Sequence, residues 1–352
     1  MSQGMLRVGL IGYGFSGRTF HAPVIGAVPG MTLAAVASSR PDEVRADWPD
    51  AAVVPDAAAL VARGDIDLVV VATPNAQHFE CAKAALEGGK HVVVDKPLTL
   101  DAVQARELAA LAQRHDRLLS VYQNRRYDAD FLTLKDVLAS NRLGRPVYFE
   151  SRFERFRPRV QDRWREQSVP GAGLWIDLGA HLVDQAVQLF GRPDTLQLDC
   201  GALRDGAKVE DHFHALLRYE SGLYAPLRVV LHAGTLAAHP AARYVLHGTR
   251  GSYVKHGFDQ QEEALRAGEK PGGEAWGEDP SQGELALGAV GNWVQSNQWP
   301  NRSGNYVDYY AAVRDAIRGT GPNPVPPDQA VALMELLDLG TRSAREGRAL
   351  AA

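Results

Sequence analysis

The feature that most constrains this chain is the stretch 6–23, LRVGLIGYGFSGRTFHAP. Leu6, Val8, Leu10 and Ile11 form an apolar run of strand length, and Gly12, Gly14 and Gly17 follow at the spacing G-x-G-x-x-G. A chain that leaves a buried strand through this spacing has few options. Gly12 permits the tight turn, and Gly14 lets the backbone approach a pyrophosphate. Gly17 lets the next helix lie close to the sheet, with its free N–H groups toward the phosphates. Phe15 and Ser16 lie inside the same loop and join the three glycines as candidate cofactor contacts. The alternative is a glycine-rich turn that binds nothing. Its place directly after a strand, ahead of alternating strands and helices, favours the dinucleotide.

That alternation fills the first part of the chain. Residues 32–37 (TLAAVA), 52–54, 66–72 (IDLVVVA), 91–94 (HVVV) and 118–122 (LLSVY) read as strands, with helices expected over 56–63, 75–87 and 101–115. Near-continuous apolar strands are those of a parallel sheet covered on both faces. The pattern predicts an α/β, doubly wound Rossmann domain over residues 1–123. In such sheets the ligand lies beyond the carboxyl ends of the strands. The candidate cofactor and substrate residues are therefore Ser38, Ser39 and Arg40, then Thr73, Pro74 and Asn75, then Asp95, Lys96 and Pro97, and finally Tyr122, Asn124 and Arg125 in the run to Arg126. His21 and His78 are read either as cofactor contacts or as satisfied helix histidines.

The edge after the second strand bears on which dinucleotide binds. An NAD site places Asp or Glu there for the ribose 2′-OH, whereas an NADP site has a small polar residue and an Arg for the 2′-phosphate. Ser38 and Ser39 can donate hydrogen bonds, and Arg40 can form a fork with a phosphate. The reading is NADP, with NAD possible if Arg40 is only a solvated loop residue.

From about Asn124 the pattern changes. Helices are expected at 128–140 and across the run after Gly171-Ala172-Gly173 to Gly191, and strand signals lie at 146–156, 195–200, 208–219, 223–232, 243–246 and 251–256. These predict an α+β domain over residues 124–352 with a large, mostly antiparallel sheet. Residues 258–305 read as a long excursion, followed by helices near 306–318 and 327–345. The composition, 45% hydrophobic and 23% charged, supplies a sizeable core, and a net charge of -4 suits neither nucleic acid nor a polybasic membrane patch. No apolar run reaches the roughly 18 residues of a membrane helix. The start lacks a signal-peptide pattern. Cys81 and Cys200 show no metal-ligand spacing, so free thiols in a reducing cytoplasm and no metal are expected.

A few residues carry candidate chemistry. Lys96, directly after a buried strand and before Pro97, can hydrogen-bond a reacting oxygen; equally, it can serve only to pair with Asp95 or a phosphate. Asp177 and His181 are four apart and share a helix face. An imidazole, with an unperturbed pKa of about 6.5, suits proton transfer; the alternative is a helix-start Asp and a His packed in an interface. Tyr122, Arg125, Arg163, Trp164 and Trp175 can wall a site for a polyhydroxylated ligand, or serve in packing and surface charge. The pair His212 and His214 only alternates on a strand.

These stretches together resemble the glucose-fructose oxidoreductase / inositol dehydrogenase / rhizopine catabolism (Gfo/Idh/MocA) family over nearly the whole chain. The resemblance rests on Gly12-x-Gly14-x-x-Gly17, on Thr73-Pro74-Asn75 with His78, on Lys96-Pro97 and on Asp177-Leu178-Gly179-Ala180-His181, in the family's order. GYGFSGRTFHAP, VVVDKPLTL, YQNRRYDADFLTLK and PGAGLWIDLGAHLVDQA are most similar to the NADP-dependent scyllo-inositol dehydrogenase branch. The resemblance implies reversible oxidation of a ring secondary alcohol of an inositol, sugar or cyclic polyol. It implies Lys96, Asp177 and His181 as the catalytic trio: His181 takes the hydroxyl proton, Lys96 stabilises the oxyanion, and Asp177 balances charge. It also implies association through the open sheet, a dimer being favoured. Asp95 departs from the family's usual Glu before Lys-Pro. A reductase of a non-sugar carbonyl and a dinucleotide-binding sensor without turnover are the alternatives.

Overall fold

The computed structural model describes residues 4–288 and 294–352. The chain forms two compact units. The first contains a six-stranded parallel sheet of β1 (Leu6–Ile11), β2 (Met31–Ala37), β3 (Ala52–Val54), β4 (Leu68–Val71), β5 (His91–Asp95) and β6 (Leu119–Tyr122), in the order β3-β2-β1-β4-β5-β6. Every residue of β4 is buried, as a strand covered on both faces requires. Asp56 and Asp101 cap their helices, accepting from the amides of Ala59 and Gln104.

The register places the candidate loops side by side. Ile11 pairs with Ala37 on one flank and Val71 on the other, and Val71 pairs with Val94. The turns beginning at Gly12, Ser38, Ala72 and Asp95 therefore leave the sheet at one edge. The strand order reverses about β1, where doubly wound sheets bind their ligands.

The first unit is made of Met1–Tyr127, Gln260–Trp276 and Asn305–Met334. A single change of domain near residue 123 thus differs from what the structure shows: the chain returns twice. Burial explains the later return. The helix Val307–Ile317 brings Tyr309 and Tyr310 to ring distances of 4.9 and 5.4 Å from Tyr122, and the Tyr310 hydroxyl lies 2.6 Å from Nδ1 of the fully buried His21.

The second unit carries a nine-stranded sheet of β7 (Pro146–Glu154), β8 (Thr195–Gly201), β9 (His212–Tyr219), β10 (Leu227–Gly234), β11 (Tyr244–Gly248), β12 (Gly251–Lys255), β13 (Gly283–Gly288), β14 (Val294–Trp299) and β15 (Leu350–Ala351). The order is β14-β13-β12-β11-β7-β10-β9-β8-β15, and among the described residues only β7 and β10 of this sheet pair in parallel. Residues alternate between buried and open along β9: Phe213, Ala215, Leu217 and Tyr219 face inward, His214 and Arg218 outward. The helix Ala180–Phe190 packs on the inner face, with Phe190 5.3 Å from Phe149. The excursion over 258–305 holds the helix Gln261–Arg266 and the strands β13 and β14; its residues 289–293 lie outside the described residues. Lys255 and Asp279, both fully buried, pair at 2.9 Å in this unit.

Candidate functional site

The glycine loop has the shape of a phosphate cradle. Gly12 has φ +97°, and a Cβ there would meet the Ala72 carbonyl oxygen at 2.7 Å. A Cβ on Gly17 would meet the Gly12 carbonyl oxygen at 2.1 Å. Both positions exclude any side chain. Gly14 is the opposite case: a Cβ there would meet nothing within 4 Å, so its backbone borders open space. A loop closed at its two ends and open in the middle fits the pyrophosphate of a dinucleotide. Ser16, inside that loop, donates to Asp95 Oδ2 at 2.5 Å.

Asp95 ties the loop to the candidate lysine. Its Oδ1 accepts from the Lys96 amide at 2.8 Å, and its Oδ2 lies 3.7 Å from His21 Nε2. Burial pushes the Asp95 carboxyl up, but the nearby His21 and Lys96 and the hydrogen bond from Ser16 outweigh it and hold the group well below the usual carboxylate range. The shorter carboxylate at this position thus still reaches both Ser16 and the Lys96 peptide. Lys96 itself is half-buried.

His78 is placed differently from a cofactor contact. It is 1% exposed, with Nδ1 2.8 Å from the Pro97 carbonyl and Nε2 2.9 Å from the Thr73 carbonyl. It straps together two loops at the edge of the sheet. Burial pushes its pKa down, against the opposing pull of Asp95 and of the two carbonyls. Asn75 is buried beside it in sequence, and Pro74 is exposed.

At the end of β2 the Ser38 hydroxyl accepts from the Arg40 amide at 2.9 Å, turning the chain into the helix Pro41–Asp47. Ser39 and Arg40 are exposed. Arg40 borders an open cleft of about 1070 Å³ that also meets Gly14, Phe15 and Arg18.

In the second unit Asp177 and His181 lie where the chain enters the helix Ala180–Phe190. The expected α-helix begins instead with a π-helical turn, Trp175–Gly179. Two glycines allow it. Gly173 has φ +99° against the Glu210 carboxylate, and Gly179 packs so closely on the Trp175 ring that a Cβ would meet it at 2.6 Å. Glu210 caps this entry. Its carbonyl accepts from Leu174 at 2.9 Å and its Oε1 from the Trp175 amide at 3.3 Å. Burial pushes the Glu210 carboxyl up. Asp177 lies 3.4 Å from Arg165 and is about a third exposed, whereas His181 is 5% exposed.

The other expected wall residues have packing partners that explain them. Trp175 is 2% exposed, donates its indole N–H to the Leu337 carbonyl at 3.1 Å and meets Phe213 edge-on: it is a core residue, and an aromatic type does not reveal which face it takes. Tyr122 is buried among His21, Tyr309 and Tyr310. Asn124 is buried, and Arg125 pairs with Glu262 at 2.5 Å. Arg163 binds Glu166, which also pairs with Arg204; Trp164 stacks under Arg165.

The opposite wall of the cleft is a part that sequence reasoning missed. It is formed by Leu265, Arg266 and the residues up to Pro271, all within the first unit. The Gly- and Glu-rich composition there carries no apolar period to signal a wall.

Among the described residues, no helix is long and apolar enough to cross a membrane. The model of the oxidoreductase family's NAD-binding Rossmann fold matches residues 6–123, and that of the same family's C-terminal alpha/beta domain matches residues 135–351. The chain is 53% identical over 340 residues to the uncharacterised oxidoreductase YdgJ of Escherichia coli, covering 97% of this chain and 96% of that one. It is 35% identical over 346 residues to the scyllo-inositol 2-dehydrogenase (NADP(+)) IolW of Bacillus subtilis, covering 98% and 95%. A solved structure of YPO2259 from Yersinia pestis superposes with a TM-score of 0.94 at 50% identity, over 99% of this chain and 97% of that one.

Proposed function

The chain belongs to the Gfo/Idh/MocA oxidoreductase family, and from that premise we propose that it is an NADP-preferring dehydrogenase acting on a ring secondary alcohol of an inositol, sugar or related cyclic polyol. The observation that carries this reading is a dinucleotide cradle whose β2 edge, Ser38-Ser39-Arg40, offers hydroxyls and a guanidinium and no carboxylate. The full-length likeness to a relative named as an NADP-linked scyllo-inositol dehydrogenase supports it.

Bound in the cradle, the nicotinamide dinucleotide supplies the hydride acceptor. The chain's own residues do the rest. His181 takes the hydroxyl proton onto a ring nitrogen. Lys96 offers its Nζ hydrogen bond to a reacting oxygen as negative charge grows there. Its peptide is held for this by the bond from its amide to Asp95. Asp177 balances the charge that His181 gains and binds neighbouring hydroxyls. The outward face of the nine-stranded sheet, with His214 and Arg218, is the surface proposed to join two copies.

The test is a panel of inositols, aldoses and non-sugar carbonyls, each with NADP(H) and NAD(H), followed by nicotinamide absorbance. Oxidation of a cyclic polyol, faster with NADP, is the expected result. Turnover confined to non-sugar carbonyls, or cofactor binding with no turnover at all, overturns the reading.

A further inference from the structure

The cleft beside the glycine loop has two walls, and the proposed cofactor site uses only one. The far wall is built by residues 265–271, in a segment that returns to the first unit from far along the chain. Its helix, Gln261–Arg266, is tied down from below: Gln261 Oε1 accepts from the Tyr306 amide at 2.8 Å, and Glu262 pairs with Arg125, one turn past β6. Glu262 also holds Arg266 at 2.9 Å across one turn. The Arg266 guanidinium is thereby set 5.0 Å from the centroid of the Phe15 ring. Phe15 is about half exposed and follows Gly14, the glycine whose backbone borders open space.

Charge points the same way. Arg18, Arg40, Arg266 and Lys270 line the cleft against two carboxylates, Asp47 and Glu269. On the near wall, Arg18 is already engaged by Glu43 and Asp47, and Arg40 lies 3.8 Å from Glu43. A doubly charged pyrophosphate over Gly14 needs cationic donors, and the carboxylate that faces Arg266, Glu262, is shared with Arg125. Arg266 stands beside the loop with a planar fork suited to phosphate.

We propose that Arg266 is a binding residue for the pyrophosphate of the dinucleotide, carried to the glycine loop on the Gln261–Arg266 helix and oriented by Phe15 and Glu262. The proposal rests on the dinucleotide reading above and adds a contact from outside residues 6–123. It also gives Arg125 a part as a positioning residue, because its pair with Glu262 fixes the helix that carries Arg266.

The experiment is equilibrium binding, read by nicotinamide fluorescence for NADPH and NADH and by calorimetry for ADP, which has a pyrophosphate but neither nicotinamide nor 2′-phosphate. Arg266→Gln is expected to weaken all three about tenfold or more, and Arg266→Lys by less. Arg40→Ala is expected to weaken NADPH alone. The Arg266 side chain is 44% exposed, so both variants are expected to keep the wild-type unfolding temperature without cofactor. Arg266→Gln that binds ADP as the wild type does overturns the proposal, as does a loss confined to NADPH. Wild-type protein that binds none of the three sinks the dinucleotide reading itself, a result distinct from either of those.

Discussion

The two sheets solve opposite problems. In the first unit all six strands run parallel and β4 is buried along its whole length, so polar groups can gather only where strands end. Gly12, Ser38, Thr73 and Asp95 are all such ends. In the second unit the sheet is mostly antiparallel and one face is open, with His214, Arg218, His232 and Arg152 along it. There Asp177 and His181 lie at the start of a covering helix and not at the strand ends. Topology thus dictates where the first unit binds. In the second, a local device, the π-helical turn permitted by Gly173 and Gly179, sets the candidate proton carrier.

This division predicts that binding and proton chemistry separate by unit. The largest effect is expected for His181→Ala: turnover falls by roughly 10²–10⁴-fold while NADPH affinity, measured by fluorescence titration, is unchanged. Equal losses in both quantities would break the comparison.

Next is the buried pair of the second unit. Lys255→Met leaves the Asp279 carboxylate without its cation, at a cost of about 3–5 kcal/mol. Urea unfolding is expected to show this loss whether or not NADPH is present, because the pair lies in the second unit. A variant as stable as the wild type contradicts the assigned role.

A smaller effect concerns pH. Burial, with Arg152 and His212 nearby, lowers His232 from 6.5 to about 4, against the pull of Glu154. A folded pKa below the unfolded one means that the fold favours neutral imidazole. The stability so conferred is complete above about pH 6.5 and is lost as pH falls from there toward 4. His232→Gln is expected to remove about 2 kcal/mol of the acid loss seen at pH 5, read from thermal unfolding at pH 5 and pH 7.5. An unchanged acid sensitivity would refute it.

The smallest effect lies in the first unit. Arg40→Ala is expected to lose about tenfold in NADPH affinity with turnover at saturating cofactor preserved, the mirror image of His181→Ala. Unchanged discrimination between NADPH and NADH would leave the cofactor choice to other residues.

How much was legible follows the same division. The parallel sheet was readable strand by strand because its runs are apolar throughout and its turns need glycine at particular positions. Six strands of the second sheet, β7 to β12, were readable, although β9 begins at His212 and not at 208, whereas β13 and β14 lie inside the stretch read as an excursion and the two-residue β15 gave no signal. Side-chain destinations were less readable. Trp175 looks the same in a sequence whether it lines a site or fills a core, and it fills a core. His78 has the chemistry of a ligand contact, yet both its nitrogens face carbonyls. The pair Arg125–Glu262 joins residues 137 apart, and no local pattern announces a partner so distant. The same distance hid the Leu265–Pro271 wall of the cleft.

The three-piece make-up of the first unit has a consequence for how this protein is made. Its last piece runs to Met334, so the unit cannot be finished until the chain as far as that residue has left the ribosome. Until then Tyr122 and His21 lack the cover of Tyr309 and Tyr310. A nascent chain released early would present that aromatic seam to its neighbours, which is the kind of surface that chaperones hold and that aggregates form upon.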